Sequence, residues 1–167
     1  MVLVACLFLG NQHYVFAEEV DVRQEYLDKK AAGVEVYEIT RENGDFIGYY
    51  EPGSNDVTDN NTERSSSYDI GKWTIPSNTT SGINKKLSLI KGDKITINIS
   101  QKPNGSGYPC YLALKDVDTG VIDNITHSIT TNGWKNCTIT IGYSGHFNFA
   151  INNISGHSIT FTGSFSY

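Results

Sequence analysis

The sequence predicts an all-β fold, a two-sheet antiparallel β-sandwich of jelly-roll-like topology with a short N-terminal helix and a hairpin. Three observations predict it. From Ser65 to Tyr167 apolar and polar residues alternate with period two through almost every segment, as half-buried antiparallel strands do. Gly-containing turns such as Lys91-Gly92-Asp93 and Ser155-Gly156-His157 divide this alternation into strand-length pieces. No helical pattern separates those pieces, so the strands must close on one another as two packed sheets.

Residues 1–17 read as a secretory signal peptide: apolar Val2 to Leu9, polar Asn11 to His13, then Val15-Phe16-Ala17 as a small-residue cleavage pattern before Glu18. The basic n-region is missing, so the segment reads as a signal truncated at its start, with a buried N-terminal strand as the alternative. Leu3-Val4-Ala5-Cys6 also fits a loose lipoprotein box, but Leu7-Phe8-Leu9 continue the apolar run where such a box should end it. Export would place Cys110 and Cys137 where disulfides persist. A bridge between them closes a 27-residue span and would stabilise the fold by roughly 3 to 4 kcal/mol. Two buried free thiols are the alternative. The Cys and His spacings of zinc sites are absent.

Charge divides the rest into two parts. Residues 18–64 carry net −8 and form an acidic leader; residues 65–167 carry net +3, with no Glu and no Arg, and form the sandwich domain. In the leader, Val20 to Ala32 is the helix candidate, ended by Gly33. Glu42-Asn43-Gly44-Asp45 lies between the apolar runs Val34 to Ile39 and Phe46 to Tyr50, and Asn-Gly in that setting predicts a hairpin. Pro52 to Ser67 reads as a polar linker whose Asp56, Asp59 and Glu63 are more simply solvated than cation-binding.

Eight strands follow, near Ser67–Ile75, Asn84–Ile90, Ile95–Ile99, Tyr108–Lys115, Val121–Ile129, Trp134–Ile141, Gly145–Asn152 and Ile159–Ser166. Alternation puts Cys110 with Leu112 and Leu114, and Cys137 with Ile139 and Ile141, on core-facing positions. It puts Thr96, Asn98, Thr138, Thr140, Asn148, Asn152, Thr160 and Thr162 outward. The body's outer surface is thus polar but uncharged.

That surface suits hydrogen bonding and stacking on a sugar, with Trp134, Tyr111 and Asn136 as candidate ligand-binding residues; a solvated sheet face is the plainer reading. Asp116, Asp118 and Asp123 sit around one turn and are candidate ligands of a structural calcium, although the spacing is not that of a twelve-residue EF-hand loop and a hairpin turn explains it too. No other cofactor is expected. Gly142-Tyr143-Ser144-Gly145-His146 resembles a nucleophile elbow only superficially, because His146 stands where the motif needs its second Gly. His127, His146 and His157 have no metal spacing, and the body offers no Glu for a glycosidase pair, so no catalytic residue is assigned. The seven Asn-x-Ser/Thr sequons, beginning at Asn60, Asn78, Asn98, Asn104, Asn124, Asn136 and Asn153, would suggest glycosylation in a eukaryotic secretory protein, while an Asn- and Thr-rich alternation produces them without purpose in a bacterial one. Mild acidity, net −5 overall, argues against a phosphate-binding nucleic-acid partner, and beyond the N-terminus no apolar run approaches the length of a membrane span.

The run from Gly142 through Phe147-Asn148-Phe149-Ala150-Ile151-Asn152-Asn153 to Ile159-Thr160-Phe161-Thr162-Gly163 resembles the closing strands of small secreted bacterial jelly rolls of the pre-peptidase C-terminal domain type. The resemblance covers roughly Lys85 to Tyr167. It implies an accessory module of the kind that in some cases binds carbohydrate or calcium, here without a catalytic domain beside it. The expectation is therefore a secreted, Gram-positive bacterial, non-catalytic module that binds a glycan or other cell-envelope component at or outside the cell surface. An interaction or inhibitor protein acting on a protein partner through the acidic leader is the alternative, and a small secreted hydrolase the third reading.

Overall fold

The computed structural model describes residues 21–53, 66–126 and 134–167. The signal-like segment 1–17 with Cys6, the acidic cluster Asp56, Asp59 and Glu63, and His127 lie outside the described residues. No described helix is long and apolar enough to cross a membrane.

Helix α1 spans Val22–Ala31. Asp21 caps it, its Oδ1 accepting the N–H groups of Arg23 and Gln24 at 3.1 Å each. Gly33, at φ +78°, ends it as the sequence expects. The N–H of Gly33 reaches the Lys30 carbonyl and that of Val34 the Lys29 carbonyl, which is the Schellman closure a left-handed residue permits. Strands β1 (Tyr37–Thr40) and β2 (Phe46–Pro52) form the predicted hairpin. The Gly44 N–H bonds the Arg41 carbonyl, and Gly44 at φ +86° returns the chain so that the Arg41 N–H meets the Asp45 carbonyl.

The remaining strands are β3 (Ser67–Asp69), β4 (Trp73–Ile75), β5 (Thr79–Leu89), β6 (Lys94–Lys102), β7 (Cys110–Asp116), β8 (Ile122–Asn124), β9 (Trp134–Ile141), β10 (Gly145–Asn153) and β11 (Ile159–Ser166). One sheet runs β1-β2-β9-β6-β11-β3 with β4 also on β11; the other runs β5-β10-β7-β8, and every pairing is antiparallel. From β5 onward the chain passes repeatedly between sheets, giving the doubled Greek-key order of a jelly roll. The expected strand over Ser67–Ile75 is broken by Gly71 at φ +58° into β3 and β4, which pair with opposite ends of β11.

The leader boundary at residue 64 is corrected by the sheet order. β2 pairs with β9 from Gly48↔Ile141 to Pro52↔Cys137, so the hairpin extends the seven-stranded sheet and is part of the sandwich. Ile39, Ile47 and Tyr50 join the same core as Ile95, Ile97, Leu112, Ile139, Phe149 and Phe161. Helix α1 packs its Val22 and Tyr26 on Tyr49, on the outer face of this sheet, while Glu25 accepts the Tyr49 hydroxyl at 2.8 Å and Lys29 meets Glu51 at 2.8 Å. Thr140, expected outward and solvated, is fully buried next to Tyr49, its register partner.

A β-bulge in β2 makes both packings possible. Ile39 pairs with Gly48 and Thr40 with Phe46, leaving Ile47 as the extra residue. Ile47 and Tyr50 then face the core while Phe46 and Tyr49 face α1. Gly48 sits in the bulge at φ +147°, where a Cβ would come to 2.3 Å from the Thr140 carbonyl oxygen. Gly48→Ala is therefore expected to destabilise by about 2 to 4 kcal/mol in denaturant titration. Gly82→Ala, whose added Cβ would meet nothing nearer than 3.6 Å, should change stability by no more than about 0.5 kcal/mol.

Candidate functional site

The two sheets leave one side of the sandwich open. Among the described residues β1 pairs only with β2 and β8 only with β7, and these two sheet-edge strands meet at that side. Arg41, which follows β1, joins them: its Nε donates to Asp123 Oδ1 at 2.9 Å and its Nη2 to Oδ2 at 2.7 Å. The Tyr143 hydroxyl donates to the same Oδ2 at 2.7 Å, and the guanidinium lies 5.1 Å over the Tyr143 ring. The Asp123 side chain is 4% exposed and that of Arg41 33%. Hydrogen bonding to Asp123 holds the guanidinium above its ordinary pKa, and burial, followed by the bond to Asp123, raises that of the Tyr143 phenol.

Beside this pair lies a groove of about 230 Å³. Buried Ile39, Tyr50 and Ile125 form its apolar floor, and Glu38, Thr40 and Asn124 form its exposed walls. Half-buried Tyr111 and buried Thr126 complete it. Thr126 Oγ1 accepts the Leu112 N–H at 3.3 Å, which ties the strand end after β8 to β7. A polar ladder leads out of the groove over the outer face of the four-stranded sheet. Asn152 Nδ2 donates to Asn124 Oδ1 at 3.3 Å, and Thr80 Oγ1 donates to Asn152 Oδ1 at 3.1 Å. Tyr111 is the register partner of Asn152 and so stands beside this ladder.

The expected ligand-binding residues do not converge. Tyr111 is on β7, whereas Asn136 and Trp134 are on β9 in the opposite sheet; the Trp134 side chain lies outside the described residues. Over that seven-stranded sheet the outward hydroxyls pair with each other, Ser100 with Thr162 and Thr74 with Thr160 at 2.9 Å and Thr96 with Thr138 at 3.4 Å. The three aspartates are separately engaged. Asp116 accepts the N–H groups of Thr119 and Asp118 at 2.7 and 2.9 Å, the Thr119 bond leading the factors that hold its carboxyl below the ordinary range. Asp118 meets His146 at 3.4 Å, and Asp123 holds Arg41. Among the described residues no three His, Cys, Asp or Glu side chains gather as a metal site would require.

Cys110 and Cys137 point into the core, but no disulfide joins them, in place of the expected bridge. Cys110 lies in the four-stranded sheet and Cys137 in the seven-stranded one, and the Cys110 thiol donates to Gln101 Oε1 at 2.8 Å. At the Gly142 to His146 turn the Ser144 hydroxyl accepts the Lys91 N–H at 2.9 Å, and no hydrogen bond joins it to His146. His157 lies against Tyr108, ring centroids 5.1 Å apart.

The chain matches no protein-family model, no curated protein and no solved structure. Its own geometry therefore carries the functional reading. Sequence reasoning did not find Arg41, Glu38 or Thr40, because they stand in the segment that charge set apart as a leader. Arg41 directly before the hairpin turn was the available signal, but its partner is 82 positions away.

The Arg41–Asp123 pair should show an asymmetry. Arg41→Met leaves a buried carboxylate with only Tyr143, and is expected to cost about 3 kcal/mol in denaturant titration, whereas Asp123→Asn keeps a polar partner for a cation that reaches solvent and should cost less. A second expectation concerns alkaline pH. Burial pushes the Cys137 thiol up to about 11 and also raises the Tyr49 and Tyr143 phenols. The folded chain holds these protons more tightly than the unfolded one, so the contribution of Cys137 is complete below pH 9 and is lost as pH rises through about 11, and the two phenols lose theirs at higher pH still. Fluorescence-monitored denaturation should show stability falling across that window, and Cys137→Ala should flatten its first part.

Proposed function

We propose that the protein is a secreted, non-catalytic module that binds carbohydrate at or outside the cell surface, on the outer face of the four-stranded sheet. One observation carries this reading: the Thr80–Asn152–Asn124 ladder, with Tyr111 beside it, opens into the groove. Amides and hydroxyls in register match the hydroxyls of a sugar, and a half-exposed tyrosine offers a ring to stack on its apolar face. The ladder itself carries no charge, which favours a neutral ligand over a phosphate-rich one. The signal-like N-terminal segment and the resemblance of Lys85 to Tyr167 to secreted jelly-roll modules support the same address and role. The unlinked Ser144 and His146 give no support to the hydrolase reading.

The test is an array of plant and bacterial cell-wall glycans, followed by titration calorimetry on the best ligand. Tyr111→Ala should weaken binding by at least about tenfold, or 1.4 kcal/mol, and Asn152→Ala should weaken it too, while Asn136→Ala on the opposite sheet leaves it unchanged. Binding that depends on Trp134 and not on Tyr111 would move the site to the other face. No ligand on the array would reject the carbohydrate reading.

A further inference from the structure

The groove has a second property, independent of the polar ladder. Three consecutive residues of one edge, Glu38, Ile39 and Thr40, face three consecutive residues of the other, Asn124, Ile125 and Thr126. Alternating side chains alone do not line a wall that way, because successive ones point to opposite faces; backbone does. The hydrogen bonds show which backbone groups are turned outward. The Arg41 N–H bonds the Asp45 carbonyl across the hairpin, and because the bulge lies in β2 the alternation along β1 is undisturbed. Ile39 therefore turns its N–H and C=O toward β2, and Glu38 and Thr40 turn theirs to the free edge. On the other side, the Asp116 N–H bonds the Val121 carbonyl and the Ile125 N–H bonds the Leu112 carbonyl. Those bonds direct Val121, Asp123 and Ile125 toward β7, and the backbone of Asn124 outward.

We propose that the free edge of β1 takes an extended, basic polypeptide segment as an added strand. The backbone of Glu38 and Thr40 supplies donors and acceptors for main-chain pairing, the binding mode of strand addition at an open sheet edge. The floor of Ile39, Tyr50 and Ile125 takes apolar side chains at alternate positions of the incoming strand. Its outward positions face an acidic rim: Glu35, Glu38, Glu42 and Asp45 surround β1, while Arg41 is committed to Asp123 and Arg23 stands 4.0 Å from Glu38. The complementary segment alternates apolar and basic residues.

The probe is a fluorescein-labelled synthetic peptide of alternating valine and lysine, titrated with the protein and read by fluorescence anisotropy. Saturable binding is expected. It should weaken by at least about tenfold when alternate peptide nitrogens are methylated, when lysine is replaced by glutamate in the peptide, and in the protein variants Thr40→Pro and Glu38→Lys. Proline at Thr40 removes only a donor facing the free edge, which edge strands tolerate. Amide hydrogen exchange of the wild-type protein gives a readout that needs no variant: the N–H groups of Glu38 and Thr40 should slow when the peptide is added. Failure of the peptide to bind, binding indifferent to N-methylation, or unchanged exchange at those two amides would overturn the proposal. So would a glycan that slows those two amides when the peptide does not. Asn152→Ala should leave peptide binding intact, which keeps this outcome separate from that of the carbohydrate reading.

Discussion

Asp123 is the one charged residue buried among those described, and its pairing with Arg41 is the constraint on which the open side of the sandwich depends. A carboxylate removed from water is costly unless its oxygens are occupied, and here both are, by a two-pronged guanidinium with the Tyr143 hydroxyl added. The pair joins residues 82 apart that belong to opposite sheets. Most of the contact between the sheets is apolar and does not depend on direction; this contact does, as do the buried Cys110–Gln101 and Asn153–Ile75 hydrogen bonds. It fixes how far β1 stands from β8, and so sets the width of the groove between Thr40 and Asn124, the residues next to the paired Arg41 and Asp123.

The same pair shows why the chain does not divide where its charge does. Among the described residues of the leader, Glu35, Glu38, Glu42 and Asp45 are exposed acids, while residues 65–167 cover much of their outward face with uncharged Thr, Ser and Asn. Charge therefore distinguishes two kinds of surface, and that difference does not mark a domain boundary, because β2 pairs with β9. Had the hairpin been a separate leader, Ile39, Ile47 and Tyr50 would need a small core of their own. They use the core of the jelly roll, and Tyr49 on the other face seats the helix.

What local chemistry determines was legible in the sequence. Gly33 ends the helix, Asn43-Gly44 makes the hairpin, and period-two alternation gives the β6, β7, β9, β10 and β11 strands with Cys110 and Cys137 turned inward. What depends on partners far along the chain was not. Thr140 is outward by alternation yet buried, because whether an outward face is solvated depends on where a helix lands. Asp116, Asp118 and Asp123 share a turn in sequence, but each carboxylate is claimed by a different group: backbone N–H, His146 or Arg41. Cys110 and Cys137 both face the core, but from opposite sheets, and inward direction alone does not bring two sulfurs together. Tyr111 and the outward position of Asn152 were found and the contacts with Thr80 and Asn124 were not, since a ladder across β5, β10 and β8 exists only once strand order is known.

Edge length bears on what the open side does. The four-residue β1 turns only Glu38 and Thr40 outward, so an added strand gains at most a few main-chain hydrogen bonds at about 1 kcal/mol net each. Two apolar side chains on the floor add roughly 1.5 to 3 kcal/mol each, against an association cost of about 4 kcal/mol or more. The surplus is small, which suits reversible capture of a segment better than a permanent interface. It also explains why such an edge is tolerated. A long bare edge invites pairing between copies, and the long edge strand here, the eleven-residue β5, carries Lys85 and Lys86 and a register break opposite Asn148 to Ala150. β8 is shortened to three residues, and β3 and β4 are separated by Gly71. β1 has no bulge of its own and no lysine; its restraint is its length, and that leaves its backbone available to a partner that also brings the right side chains and charge.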